Sequence, residues 1–132
     1  MEMHVTQDNA TVSLGLPADA ESISVVRAVV ASVASRLALP YDAVDDLRIA
    51  AAEDATLLLT KGTGATRLRV DLSPNADDLR LMVWVEGVVD DHDDAVRDSL
   101  AWRLIDGLTD EAVDTTVEDH PAIELRMRTV SR

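Results

Sequence analysis

The residues of this chain best placed to do chemistry lie in one stretch, Asp46 to Leu59, which reads DLRIAAAEDATLLL. It is alanine-rich and nearly apolar, apart from two adjacent acids, Glu53 and Asp54. A carboxylate in a helix that is otherwise core needs a reason, because burying it unpaired is costly. One reason is function, with the carboxylate placed for acid–base work. The other is a solvated face. Val44, Leu47, Ala51, Ala55 and Leu58 recur at spacings of three and four and form an apolar stripe on which neither acid needs to lie. Leu57 follows Glu53 by one helical turn and shares its face.

Other reactive groups are sparse. The chain has no cysteine, so disulfides, thiolate metal sites and cysteine nucleophiles are excluded. The acidic run Asp90-Asp91-His92-Asp93-Asp94 has a metal-like composition, but spacing of one puts no two ligands on a shared face, and it reads as a solvated loop. His4 and His120 fall in a terminus and a turn and carry no signal.

Composition sets the broad class. The 132 residues suffice for one domain with one core, 47% of them hydrophobic. Trp84, Trp102 and Tyr41 are the aromatics, so the core is built from Val, Leu, Ile, Ala and Met. No apolar run approaches a membrane span, and no basic-then-apolar leader is present, so a cytoplasmic location is expected. The net charge of −13 disfavours direct nucleic-acid binding, since phosphates are repelled. It suits either a basic protein partner, whose encounter it would steer, or plain solubility.

The elements that must position the acids follow from periodicity. Thr11 to Leu16 alternates as a strand, ended by Pro17. A helix is expected from about Glu21 to Ala38, with a stripe of Ile23, Val26, Val30, Val33 and Leu37, before Pro40 breaks it. A second helix is expected from near Asp42 to Thr60, with Asp42 and Asp45 resembling a capping box and Gly62 and Gly64 closing it. The period then becomes two. Leu68, Val70 and Leu72 face inward, Ser73 to Asp78 turns, and Leu79, Leu81, Val83 and Val85 return as a hairpin with one solvated face. After an acidic loop, Ser99 is placed to cap a short helix holding Leu100, Leu104, Ile105 and Leu108. A second hairpin runs from Ala112 to Val117, turns around His120-Pro121, and returns with Ile123, Leu125 and Met127 inward. The expected fold is therefore α+β, a two-layer sandwich of antiparallel or mixed sheet covered on one face by helices.

This order, with the stretches SISVVRAVVASVASRL, DLRIAAAEDATLLL and SLAWRLIDGLTDE, resembles the small bacterial anti-sigma factors that are also serine-protein kinases. The resemblance extends from about Thr11 to Thr129 and implies the ATPase fold shared by gyrase and the histidine kinases. It implies that Glu53 occupies the general-base position, which orients an attacking hydroxyl. It implies that Leu57 stands where the family has an asparagine, the oxygen ligand of a phosphate-bridging magnesium. Leucine has no lone pair for a hard cation. At the end of the central hairpin the family's adenine-reading Asp-x-Gly-x-Gly is represented by Glu86 and Gly87. The glycine-rich lid hinge is represented by Ser99-Leu100-Ala101-Trp102, without a glycine. Arg27 stands where the family's opening helix contacts the sigma factor or its competing antagonist.

The resemblance thus implies a cytoplasmic, homodimeric anti-sigma factor acting by stoichiometric binding through a decayed ATP site. The alternative is an active kinase that uses Mg-ATP to phosphorylate a serine of an anti-anti-sigma antagonist. A regulator that binds some other partner through the same fold is a third class.

Overall fold

Alternating side chains build the sheet. The computed structural model describes residues 1–6, 11–37, 39–61, 64–88 and 96–129. Its strands are Glu2–Thr6 (β1), Thr11–Pro17 (β2), Arg67–Pro74 (β3), Asp78–Glu86 (β4), Glu111–Val117 (β5) and His120–Arg128 (β6). Its helices are Glu21–Ser35 (α1), Tyr41–Lys61 (α2) and Leu100–Leu108 (α3). The strands form a six-stranded sheet in the order β1-β2-β3-β4-β6-β5, with every neighbouring pair antiparallel.

One face of the sheet is apolar. Leu14 and Leu16 of β2, Leu68, Val70 and Leu72 of β3, and Leu79, Leu81, Val83 and Val85 of β4 are buried there. Ile123, Leu125 and Met127 of β6 complete the layer. All belong to one core with the buried residues of α1, α2 and α3. The opposite face carries Ser13, Arg67, Arg69, Asp71, Arg80, Met82, Trp84 and Glu124, which alternate with the core residues in register. The architecture is the α+β two-layer sandwich expected from the periodicity, with a purely antiparallel sheet.

The helices bury slightly different stripes from those read in the sequence. In α1 the buried line is Ser22, Val26, Val30 and Ala34, while Ile23, Val33 and Leu37 flank it half-buried. Ser22 is tolerated there because its hydroxyl donates to the Pro17 carbonyl at 2.7 Å, and its N–H donates to Asp19 Oδ1 at 3.1 Å. The helix ends at Ser35, not Ala38, which lies outside the described residues. The second helix begins at Tyr41, with the Val44 N–H bonded to the Pro40 carbonyl at 3.1 Å. Asp45 forms an ion pair with Arg48, a role different from the capping box expected of it. Beyond α2, Gly64 has φ +90°, and Gly62 lies outside the described residues.

Three further details differ from the sequence reading. A strand, β1, precedes the expected first strand and pairs with it from Glu2↔Gly15 to Thr6↔Thr11. The β3–β4 turn is tighter than Ser73 to Asp78, because Asn75 N–H bonds the Asp78 carbonyl at 2.8 Å and the strands run up to it. The last hairpin turns at Glu118-Asp119, not around His120-Pro121. Both turn residues have positive φ, 51° and 69°, the conformation that matches a two-residue hairpin to strand twist. Pro121 can then sit inside β6, because pairing with β4 stops at Trp84↔Ala122 and no ladder bond is lost.

Candidate functional site

The two acids of α2 separate sharply in environment. Positions 47, 50, 51, 54, 55 and 58 form the buried face of the helix, so Asp54 falls within the stripe and Glu53 one position, about 100°, away from it. Asp54 is fully buried at 0% exposure, and among the described residues neither carboxylate oxygen has a hydrogen-bond partner. Burial pushes its carboxyl well above the ordinary value of 3.8. The expectation of a solvated face for both acids thus fails for Asp54. The signal was present: Asp54 follows Ala51 by three residues and precedes Leu58 by four.

Glu53 is half-buried and borders a groove of about 490 Å³ between α2 and α3. The other lining residues are Leu100, Ala101, Arg103 and Leu104, all from α3. That helix starts where the sequence placed it. Ser99 is its N-cap, its Oγ accepting from the Trp102 N–H at 3.1 Å. Ile105 is buried beneath it and Trp102 packs half-buried against the core, which turns Leu100 and Leu104 outward. The sequence placed both leucines on this helix with Ile105 and Leu108, and Leu100 at the lid-hinge position, but did not mark them as exposed. Their exposure depends on how α3 docks, which no local pattern specifies.

The remaining sequence-derived positions are dispersed. Leu57, one turn after Glu53, packs half-buried against the core and does not line the groove. Glu86 pairs in register with Arg67, on the sheet face opposite the helices. Its carbonyl accepts from the Thr66 N–H at 2.8 Å and from the Thr66 hydroxyl at 3.3 Å. Gly87 follows with φ +92°, and a Cβ there would stand 2.9 Å from the Thr66 nitrogen. Glu86 and Gly87 thus close the end of the β3–β4 hairpin by a backbone approach that only glycine allows. Arg27 is exposed on α1. Of the lone histidines, His120 donates from Nδ1 to the Val88 carbonyl at 2.9 Å, which ties β6 to the end of β4.

Among the described residues no group of three or more His, Cys, Asp or Glu could hold a metal ion. The run Asp90-Asp91-His92-Asp93-Asp94 lies outside the described residues. No helix among the described residues is long and apolar enough to cross a membrane. The groove offers one carboxylate, one guanidinium and an apolar wall, and the helical turn after Glu53 presents a leucine.

No protein-family model matches the chain. Comparison with curated proteins finds two relatives, both the anti-sigma-F factor RsbW of Mycobacterium tuberculosis, from strain CDC 1551 / Oshkosh and strain ATCC 25618 / H37Rv. Each is 29% identical over 100 residues, which is 76% of this chain and 58% of the relative. The chain therefore matches little more than half the length of these relatives. By its sequence it is similar to the anti-sigma factors of the RsbW type.

Proposed function

We propose that the chain is an anti-sigma factor domain that sequesters a sigma factor by stoichiometric binding and so represses transcription. The similarity to RsbW supports the sigma-factor partner. The observation that carries the stoichiometric mode is Leu57. It stands where the resemblance places a magnesium ligand, and it packs against the core as an apolar residue. A hard cation needs oxygen donors, and Leu57 supplies none at that position. The apolar start of α3, Ser99-Leu100-Ala101-Trp102, lacks the glycines that let backbone amides approach phosphate. The residues present therefore do not fit Mg-ATP, and no phosphoryl-transfer step is assigned to them.

In this reading the protein works in the cytoplasm as a homodimer. Arg27 contacts the sigma factor or a competing anti-anti-sigma antagonist. The charge of −13 favours encounter with the basic surfaces that DNA-binding partners present.

Calorimetry with Mg-ATP tests the mode. Weak or absent binding is expected. A Kd in the low micromolar range, about −8 kcal/mol, would restore the kinase alternative, which the retained Glu53 favours. Transfer of labelled phosphate to a candidate antagonist, lost in Glu53→Ala, would establish that alternative. Capture of partners from lysate tests the sigma factor itself.

A further inference from the structure

We infer that the groove between α2 and α3 is a docking site for an amphipathic helix that brings an apolar stripe and one Lys or Arg. The inference rests on the anti-sigma reading and identifies a surface by which the sigma factor is held. Leu100 is 81% exposed and Leu104 43% exposed. They lie four residues apart on the same face of α3, so they present a continuous apolar edge along one turn. Ala101 extends that edge into the groove. Leucines so exposed and so aligned on a folded domain mark a surface that is covered in use.

The charge on the opposite wall identifies the occupant. Glu53 is half-buried at the groove and, among the described residues, has no hydrogen bond or ion pair. A partner that covers the leucines also removes water from this carboxylate, so it must supply a cation there. The chain as a whole carries −13, which favours a basic segment over an acidic one. Arg103, on the rim, is positioned to accept an acidic residue at the edge of the same helix. A helix laid in a groove, with leucine-type anchors at spacings of three and four, satisfies these demands. A nucleotide does not, because its phosphates would face Glu53 with no cation ligand on the next turn.

The test measures affinity for the sigma factor that the parent chain binds, using the full chain throughout. The variants are Leu100→Asp/Leu104→Asp, Glu53→Lys, and Val113→Asp as a control on the sheet's opposite face. Melting temperature and circular dichroism confirm that each variant folds. The two leucine changes together, and Glu53→Lys alone, are each expected to weaken binding tenfold or more, with Val113→Asp unchanged. A charge-reversed partner, Lys or Arg to Glu at the matched position, should recover binding to Glu53→Lys. Parent-like sigma affinity in both groove variants overturns the docking site while leaving the anti-sigma function standing. So does sigma affinity that is kept while sedimentation shows a changed oligomeric state, which would make the groove an interface between copies. A parent chain that binds no sigma factor overturns the function and this inference together.

Discussion

Replacing Asp54 by Asn should make this protein more stable at neutral pH, although it touches a carboxylate in the most helical part of the chain. The side chain is fully buried, and both oxygens lack partners among the described residues. Among the described residues, an apolar core packs against this face of α2. The inner faces of β4 and β6 present Leu79, Leu81, Val83 and Val85, and Ile123, Leu125 and Met127. From α1 come Val26, Val30 and Ala34, and from α3 comes Ile105. Among the described residues no donor bonds the carboxylate, so the folded state holds the proton to a higher pH than the unfolded chain does. Above the ordinary value of 3.8 the unfolded chain releases that proton while the folded chain keeps it. The folded state then binds more protons, and stability falls as pH rises, until the folded group also ionises. The slope in that window is about 1.4 kcal/mol per pH unit. Even uncharged, an orphan polar group costs roughly 1–3 kcal/mol.

The assay is urea unfolding of the parent, Asp54→Asn and Asp54→Ala between pH 4 and pH 8. The other acids of this chain repel one another and give all three proteins a common pH dependence, so the informative quantity is the difference. Asp54→Asn should match the parent near pH 4 and gain on it steadily as pH rises. Asp54→Ala should exceed Asp54→Asn throughout, because it also removes the orphan polar atoms and favours the helix. A difference that is flat with pH, or an Asn variant weaker than the parent at pH 7, would show that a partner stabilises the carboxylate and that the argument is wrong.

Removing the cap in Ser99→Ala should cost about 1 kcal/mol and loosen α3, detected as faster amide exchange at Trp102. Gly87→Ala should cost at least about 1 kcal/mol by thermal unfolding, since the backbone there has φ +92° and the new methyl would meet the Thr66 nitrogen. Arg27→Glu should leave the melting temperature within about 1 °C, because an exposed charge contributes little. The same change should weaken sigma binding by roughly 2 kcal/mol if the residue pairs at the interface, and full inhibition in a transcription competition assay would exclude that contact.

Much of the sheet and both long helices were legible without coordinates, because burial on one face imposes a period that a short window can carry. Leu68, Val70 and Leu72 against Arg67, Arg69 and Asp71 state the orientation of β3 outright, and Ser99 announces α3 by its hydroxyl. Residues whose role depends on what lies across the core were not legible. Asp54 and Glu53 are neighbours in sequence and nearly equivalent in chemistry. Which one is sealed from water depends on the angle at which α2 meets α1, α3 and the sheet. The Glu118-Asp119 turn escaped notice because its residues carry no glycine signal, and strand register forces their positive φ. The groove escaped for a related reason. Leu100 and Leu104 belong to an ordinary amphipathic pattern, and only the docking of α3 through Ile105 and Trp102 leaves them facing water beside Glu53. Local pattern determines which elements form, since it needs nothing beyond near neighbours. Packing between elements distant in sequence decides which polar group is buried and which apolar surface stays open.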